Sequence, residues 1–248
     1  MQYRVPDLST TFLGIKSPTP FWLASAPPTD KEYNVRRAFE AGWGGVVWKT
    51  LGSEGPPIVN VNGPRYGAIW GADRRLLGLN NIELITDRPI EDNLKEIAEV
   101  KRHYPKHALI VSLMVESKRE AWHAMVKRTQ DTGADGIELN FGCPHGMSER
   151  GMGSSVGQVP EYIEMVARWC KTYTRLPVIV NVLAGTLHPD EVKDACGLVM
   201  PDGEYETIAG FVLAELSAGG PSRATRFTLA KKVFWLFPLT AAAQVSQA

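Results

Sequence analysis

The chain has 248 residues, of which 44% are hydrophobic and 22% are charged, and its 27 basic and 27 acidic side chains give a formal net charge of zero. This length can hold one large domain or two small ones with a well-filled core. A neutral balance gives no general reason to expect a nucleic-acid or anionic-membrane partner. We therefore expect an ordinary soluble globular protein.

The three cysteines, Cys143, Cys170 and Cys196, are well separated, and neither a Cys-x-x-Cys pair nor a Cys/His cluster accompanies them. This spacing argues against an iron–sulfur cluster or a structural zinc, so no metal site is predicted. The N-terminal "MQYRVPDLST" lacks the basic and apolar regions of a signal peptide, and the apolar run 233–243 is too short to span a bilayer. The expected location is the cytoplasm.

Apolar, often β-branched segments recur along the chain, with helix-like stretches between several of them. The strand-like segments are 21–26, 44–50, 76–81, 108–114, 136–142 and 176–182, and the helix-like stretches are 31–41, 90–103, 118–132 and 160–174. Nearly continuous apolar character is typical of parallel strands that are covered on both faces. Ser117 is the predicted N-cap of the third helix, with Glu120 three residues later, and Gly133 its predicted end.

This strand–helix alternation fits both a (β/α)8 barrel and an open doubly wound sheet. No G-x-G-x-x-G motif follows the first strand, which weakens the case for an open dinucleotide-binding sheet. Polar or reactive residues instead stand where several strands end, namely Ser25, Lys49, Thr50, Asn80, Asn81, Asn140 and Cys143. Active sites of barrels are built at these strand ends. The sequence thus predicts an α/β fold of the (β/α)8 TIM-barrel type.

Cys143 follows a strand in "ELNFGCPHGM" and lies between Gly142 and Pro144. A cysteine held in such a turn can serve as a nucleophile or as a proton donor. A thiol with an ordinary pKa is mostly protonated at neutral pH, which suits proton donation. The alternative is a buried structural cysteine, which is the more frequent situation for a lone cysteine.

Other strand-end residues add polar groups of two kinds. Lys49 ends a buried strand and needs an anionic or polar partner, either an electron-rich cofactor ring or a carboxylate. Amide and carboxylate groups that match the edge of a flat heterocycle such as a pyrimidine come from Asn80, Asn81, Glu83 and Asn140. Asparagines that merely cap loops are the alternative.

The turn and loop after Cys143 contain two further candidates. His145 is a candidate catalytic residue, although its neighbours Pro144 and Gly146 favour a turn histidine bonded to the backbone. The glycine-rich segment "ERGMGSSVGQ" (149–158) is long enough to act as an active-site lid. It does not match a Walker-type phosphate loop.

Taken together, residues 5 to 180 or so resemble the flavin-binding barrel of dihydropyrimidine dehydrogenase, within the dihydroorotate dehydrogenase-like superfamily. The matching text includes "RRAFEAGWGGVVWKT", "NNIELITDRP" and the highly specific "ELNFGCPHGMSERGMG". The resemblance implies an FMN that reduces the 5,6 double bond of uracil or thymine. It also implies that the electrons originate on NAD(P)H and arrive through a partner subunit, with homo-oligomerisation left open.

The resemblance also implies a role for each matching residue. Flavin contacts fall on Ser25, Lys49 and Thr50, and pyrimidine contacts on Asn81, Glu83, Asn140, Phe141 and Gly142. Cys143 corresponds to the general acid that protonates C5 of the pyrimidine while flavin N5 delivers hydride to C6.

The chain departs from the family in its last third. Asn181 stands where the family has a flavin-contacting lysine, and the glycine-rich phosphate strands have no counterpart. We therefore expect an incomplete barrel of about six strands over residues 1–182, followed by an atypical segment, 183–248, with short helices. Part of that segment, 187–216, resembles a fragment of the transporter-associated domain of magnesium/cobalt-efflux haemolysin-type proteins.

Two other functions remain open on the sequence. A tRNA dihydrouridine synthase also uses a flavin and an Asn-x-Gly-Cys-Pro-like turn, but it needs a basic RNA-binding face, for which the net charge of zero gives no support. An inactive product, truncated or chimeric, is the third hypothesis, because an incomplete barrel would leave a sheet edge exposed.

Overall fold

A computed structural model of the chain describes residues 7–53, 58–60, 62–143 and 151–182. The predicted C-terminal segment 183–248, with its resemblance over 187–216, lies outside the described residues. No helix in the described ranges is long and apolar enough to cross a membrane.

The described residues alternate between strands and helices, as the sequence predicts. The strands are β1 (Thr10–Phe12), β2 (Ile15–Ser17), β3 (Trp22–Leu23), β4 (Gly45–Gly52), β5 (Tyr66–Trp70), β6 (Leu76–Asn81), β7 (Ala108–Met114), β8 (Gly136–Phe141) and β9 (Val178–Val182). The helices are α1 (Glu32–Glu40), α2 (Ile90–His103), α3 (Arg119–Asp131), α4 (Ser154–Gly157) and α5 (Pro160–Tyr173). A short 3-10 turn, Pro27–Thr29, precedes α1.

Five strands form one parallel sheet in the order β3-β4-β7-β8-β9. The sheet curls into a half-barrel that carries helices on its outer side. All five strands run the same way, so their carboxyl ends meet at one edge, where barrel active sites lie. The predicted α/β fold with an incomplete barrel is confirmed.

The two faces of the sheet are both covered, which explains the nearly continuous apolar strands. Alternate side chains such as Trp48, Val111 and Leu139 pack under α2, α3 and α5 in the main core. The side chains between them face the barrel interior, where a smaller apolar cluster forms. That cluster consists of Ile15, Trp22, Val47, Ala108, Ile110 and Ile179. Polar residues continue the same inner face toward the carboxyl edge.

The segment 76–81, predicted as the third barrel strand, is not part of this sheet. It forms β6, which pairs antiparallel with β5 in a separate two-stranded hairpin, while β4 pairs directly with β7. The described sheet therefore has five barrel strands instead of six. An apolar run alone does not distinguish a buried strand from an exposed hairpin strand. Leu76 and Leu77 are in fact 50% and 60% exposed.

The boundaries of the four longer helices agree with the prediction to within a residue, but one predicted cap is wrong. Lys118 occupies the N-cap position of α3 without a side-chain hydrogen bond. The Ser117 hydroxyl instead donates to the carbonyl of Gly151, at 2.7 Å, because the loop after β8 brings that acceptor close. The predicted C-terminal glycine is confirmed, since Gly133 follows α3 with a φ of +82°.

Candidate active site

A cluster of hydroxyl and amide groups joins the carboxyl ends of four strands. The Thr50 Oγ1 atom lies 3.1 Å from Ser25 Oγ and 2.8 Å from Ser112 Oγ, and it accepts a hydrogen bond from Asn140 Nδ2 at 3.0 Å. Ser25 Oγ also accepts from the backbone N–H of Thr50 at 3.0 Å. The structure thus brings three predicted site residues together and adds Ser112, which the sequence analysis missed.

A bulge in β4 directs two consecutive side chains into this region. Trp48 pairs with Val111 and Leu51 with Leu113, so Lys49 and Thr50 both lie opposite the single residue between those partners. In a regular strand, neighbouring side chains point to opposite faces. The extra residue in the bulge changes the direction of the side chains, as bulges beside active sites do. Both residues are only 3% exposed, and both side chains reach polar partners at the carboxyl edge.

The partner of Lys49 is a carboxylate. Its ammonium donates to Glu83 Oε1, and both side chains are almost fully buried, at 4% and 6% exposure. Arg65 Nη1 donates to both oxygens of Glu83, at 2.9 and 3.0 Å. Of the two partners that the sequence allowed for Lys49, the structure contains the carboxylate. Two cations thus meet on one carboxylate, and Arg65 Nη2 also lies 3.9 Å from Asp87 Oδ2.

Arg65 was not found from the sequence, because it stands outside every predicted strand. It directly precedes β5, so the hairpin β5–β6 carries it to the site. The turn of that hairpin is closed by bonds between Gly71 and Arg75, and between Arg74 and Gly71. The residues "GADRR" between two apolar runs were the available hairpin signal.

The turn that holds Cys143 is fixed from two sides. Asn140 Oδ1 accepts from the backbone N–H groups of Gly142 and Cys143, both at 3.1 Å. On the other side, the backbone N–H of Ser154 donates to the Cys143 carbonyl at 3.2 Å. A Cβ atom on Gly153 would lie only 2.4 Å from that carbonyl oxygen, so the loop approaches the turn as closely as a glycine permits. Cys143 itself is half-buried.

Part of the segment predicted as a lid packs on the sheet. Met152 and Val156 are 1% exposed, and Met152 lies in a small cluster with Ile85 and Met114, against which Cys143 packs. Residues 154–157 form α4. Residues 149 and 150 lie outside the described residues.

The remaining predicted site residues divide into three groups. Gly142 lies in the Cys143 turn. The Phe141 side chain lies in the main core, edge-on to Trp122 with the ring centroids 6.1 Å apart, so only its backbone faces the site. The side chain of Asn81 and the whole of His145 lie outside the described part of the chain.

Glu138 is a second buried carboxyl that sequence reasoning did not single out. It lies on the inner face of β8 beside Ser112, its register partner on β7. Burial raises the pKa of its carboxyl, and hydrogen bonds from Ser112 and Asn181 oppose that rise. Asp30, near Lys49, is also affected: burial raises its pKa, while the Thr86 hydroxyl and the Lys49 and Arg88 charges oppose the rise. The sequence signal for a buried carboxyl at Glu138 was a glutamate within the apolar run "GIELNFG".

The donor and acceptor pattern of the site suits a flavin. Hydroxyls, a carboxamide and a buried ammonium converge on one sheet edge, which matches the alternating acceptors and donors along the polar edge of the isoalloxazine ring. Together, the fold and the site define an incomplete barrel of the dihydroorotate dehydrogenase-like class.

Comparisons with known proteins support this class. A family model for dihydrouridine synthase matches residues 79–200. Dihydropyrimidine dehydrogenase (NADP(+)), chloroplastic, of Arabidopsis thaliana is 42% identical over 178 residues, which make up 70% of this chain and 42% of that protein. The NAD-dependent dihydropyrimidine dehydrogenase subunit PreA of Escherichia coli (strain K12) is 39% identical over 176 residues, with 71% and 42% covered. The chain thus spans less than half the length of these relatives.

The solved structures give the same fold. The crystal structure of DHODH from Eimeria tenella in complex with ferulenol matches with a TM-score of 0.59 at 16% identity, covering 80% of this chain and 58% of that one. At this identity the likeness concerns the fold alone. The resemblance to dihydropyrimidine dehydrogenase and to the dihydroorotate dehydrogenase-like superfamily, stated from the sequence, is confirmed.

Proposed function

We propose that this chain is the FMN-binding part of an oxidoreductase that reduces the 5,6 double bond of uracil or thymine. One observation carries the proposal: the Asn140 carboxamide bonds the Thr50 hydroxyl with its nitrogen and the Cys143 turn with its oxygen. A group suited to a heterocycle therefore lies between the cofactor candidates and the cysteine. Similarity to two dihydropyrimidine dehydrogenases supports the choice of substrate.

Three residues would hold the flavin: Ser25, Lys49 and Thr50. Their hydroxyls and ammonium lie at the carboxyl edge of the sheet, where they can bond to ring nitrogens and carbonyl oxygens. FMN bound there would supply the hydride that C6 of the pyrimidine accepts. The Lys49 ammonium would favour electron density on the part of the ring beside it.

The pyrimidine would be held by Asn81, Glu83, Asn140, Gly142 and the backbone of Phe141. A carboxylate has about four lone-pair positions. Glu83 would accept a bond from a pyrimidine N–H through its carboxylate. Asn140 offers an amide whose orientation is fixed by its existing bonds, which limits the orientations of a bound ring.

Cys143 would donate the proton. Its Sγ–H bond breaks as a C–H bond forms at C5 of the pyrimidine, while hydride adds at C6, so the double bond becomes a CH–CH single bond. The bonds that fix the turn hold the thiol in one place during this transfer. A neutral thiol needs no metal or second base to act as an acid at neutral pH.

Electrons would originate on NAD(P)H and pass through a partner subunit or domain, in the cytoplasm. The relative named as a subunit supports the idea of a partner, and the two relatives are named for NADP and NAD. Homo-oligomerisation is compatible with this arrangement.

The test begins with the flavin. The purified full chain should carry FMN with an absorbance typical of an oxidised flavin, and dihydrothymine or dihydrouracil should bleach that absorbance without oxygen. A chain that takes up no FMN, even when refolded with it, would overturn the proposal.

A second candidate function is a tRNA dihydrouridine synthase, which the family model over residues 79–200 favours. Its substrate would be a uridine within RNA instead of the base. Tight binding of tRNA that weakens steeply with salt would support it. Reduction by dihydrothymine together with no tRNA binding at low salt would exclude it.

The third hypothesis, an inactive truncated or chimeric product, draws on the five strands of the described sheet. Its test is physical instead of enzymatic. A single cooperative unfolding transition of a chain that binds one FMN would contradict it.

A further inference from the structure

Glu138 is a buried acid whose charge has no counter-ion in the described residues. Its neighbours Ile137 and Leu139 face the helices, so the carboxyl points into the barrel interior, where the residue is 6% exposed. Its Oε1 atom has no hydrogen-bond partner within the described ranges. No ion pair among those residues includes Glu138, and Lys49, on the next strand but one, donates to Glu83. An ionised carboxylate in these surroundings would be costly.

A continuous series of polar contacts leads from this carboxyl to the Cys143 turn. Ser112 lies opposite Glu138 in the β7–β8 register, with its side chain on the same inner face, and Asn181 on β9 is the second polar side chain near the carboxyl. From Ser112 the contacts pass to Thr50 at 2.8 Å and from there to Ser25 and to Asn140. We call Ser25, Thr50 and Ser112 the hydroxyl chain. Its branch to Asn140 ends at the backbone N–H groups of the turn.

We propose that Glu138 is a neutral carboxylic acid that positions the Cys143 turn through the hydroxyl chain. The inference deepens the function proposed above, and its catalytic meaning rests on that function. Glu138 touches neither the candidate cofactor contacts nor the cysteine directly. It is therefore a positioning residue.

The proton of Glu138 would fix the direction of every bond in the hydroxyl chain. Each hydroxyl has one proton to donate, and an amide nitrogen can only donate, so Thr50 Oγ1 accepts from Asn140. If the acid donates to Ser112, then Ser112 donates to Thr50 and Thr50 donates to Ser25. Ser25 already accepts from the Thr50 N–H. Its own proton is then left for a ligand at the strand edge, which makes Ser25 a donor.

An ionised Glu138 would reverse the series. Ser112 would donate to the carboxylate, Thr50 to Ser112, and Ser25 to Thr50. Ser25 would then offer a ligand only a lone pair. The neutral acid and the ionised carboxylate therefore present different sites to the same cofactor.

The first measurement is the infrared spectrum of the purified full chain at neutral pH. A neutral, buried carboxylic acid gives a C=O band that is separate from the carboxylate bands, and Glu138→Gln should remove it. The glutamine supplies an N–H where the acid has its O–H, so this variant should fold and should keep Cys143 as protected as in the unmodified chain. The neutral acid would be overturned if the carboxylic-acid bands of the original chain and of Glu138→Gln were identical, because Asp30, whose pKa burial also raises, contributes equally to both spectra.

The second measurement follows alkylation of Cys143 by iodoacetamide, with peptide mapping to separate it from the other cysteines. Ser112→Ala interrupts the hydroxyl chain and should raise the alkylation rate by about fivefold, the factor that corresponds to one hydrogen bond. Ser17→Ala is the matched control, since Ser17 is a buried serine that bonds to Thr19 and Trp22 near the opposite edge of the sheet. Its rate should stay at the original value.

Equal rates in Ser112→Ala and Ser17→Ala would overturn the positioning role. Both measurements can be made whether or not the chain binds FMN. A chain that shows the band and the rate change but takes up no flavin would retain the inference about Glu138 while refuting the proposed function.

Discussion

Lys49 and Glu83 form a buried ion pair at the carboxyl end of β4, and Arg65 completes it from the hairpin. The pair connects the sheet to a hairpin whose strand β5 is exposed along its whole length. A two-stranded hairpin is marginally stable alone. The ion pairs that Glu83 forms with Lys49 and Arg65 therefore help to hold the hairpin against the sheet, and they also form part of the site.

Replacing Glu83 tests the energetic role of this pair. Glu83→Gln keeps the size but removes the carboxylate to which the buried Lys49 ammonium donates, so the free energy of unfolding should fall by about 3 kcal/mol. Urea denaturation measures the loss. Glu164→Gln is the control, because Glu164 pairs with Arg168 on the surface of α5 and should cost less than about 0.5 kcal/mol. Equal losses in the two variants would contradict the buried pair.

Gly153 tests the close approach of the loop to the Cys143 turn. Gly153→Ala places a methyl group 2.4 Å from the Cys143 carbonyl oxygen at a φ of +57°, so both contact and backbone strain should destabilise the chain. Gly151→Ala is a matched control with a φ of +65° and no atom within 4 Å of its Cβ. The control should lose about 1 kcal/mol from strain, and Gly153→Ala distinctly more. If the thermal unfolding temperature falls equally in Gly153→Ala and Gly151→Ala, the structure relieves the close contact at Gly153 without loss of stability.

Cysteine replacements test the proposed acid. Cys143→Ala should retain bound FMN and lower turnover by about 10²–10⁴-fold, the usual contribution of a general acid. Cys170→Ala serves as the control, because Cys170 lies on the buried face of α5 and burial raises the pKa of its thiol to about 12. Its replacement should affect stability but not the chemical step. Unchanged turnover in Cys143→Ala would exclude the proton-donor role.

The pH dependence of stability tests Glu138 without any substrate. Burial raises the pKa of Glu138, so the folded chain holds this proton more tightly than the unfolded chain does. The resulting stabilisation is fully present below the unfolded pKa, and it declines as pH rises from there to the folded pKa, by at most about 1.4 kcal/mol per pH unit. Glu138→Gln has no such proton, so the stability of the original chain relative to the variant should fall as pH rises.

Denaturation curves of both proteins across that pH range give the comparison. Asp30, whose pKa burial also raises, is present in both proteins and cancels from the difference. Two curves of stability against pH that run parallel would mean that folding leaves the Glu138 proton affinity unchanged.

The sequence predicted the helices and the parallel strands well because both depend on local patterns. Amphipathic stretches and apolar runs in the first 182 residues specify elements whichever neighbours they meet. The prediction that segment 76–81 is a barrel strand was wrong for the same reason. An apolar run has the same local pattern in a barrel strand and in an exposed hairpin. The predicted N-cap role of Ser117 was wrong because its hydroxyl donates to the carbonyl of Gly151, which is distant in the sequence.

Candidate site residues were predictable where a strand end could be recognised, as for Ser25, Thr50 and Asn140. Arg65 and Ser112 were not, because one depends on the hairpin and the other on the register between two strands. The resemblance assigned Lys49 and Glu83 to different ligands. Only the three-dimensional arrangement brings their opposite charges into contact.

The bulge in β4 has a consequence for how this site can change. Lys49 and Thr50 share one position of the sheet because the strand carries one residue more than its neighbour. A deletion of either residue would restore regular pairing and leave a single side chain opposite Ser112, between Trp48 and Leu51, which face the helices. Substitution can thus alter either contact while both positions remain, whereas a one-residue deletion would leave one inward-facing side chain where the site now has two.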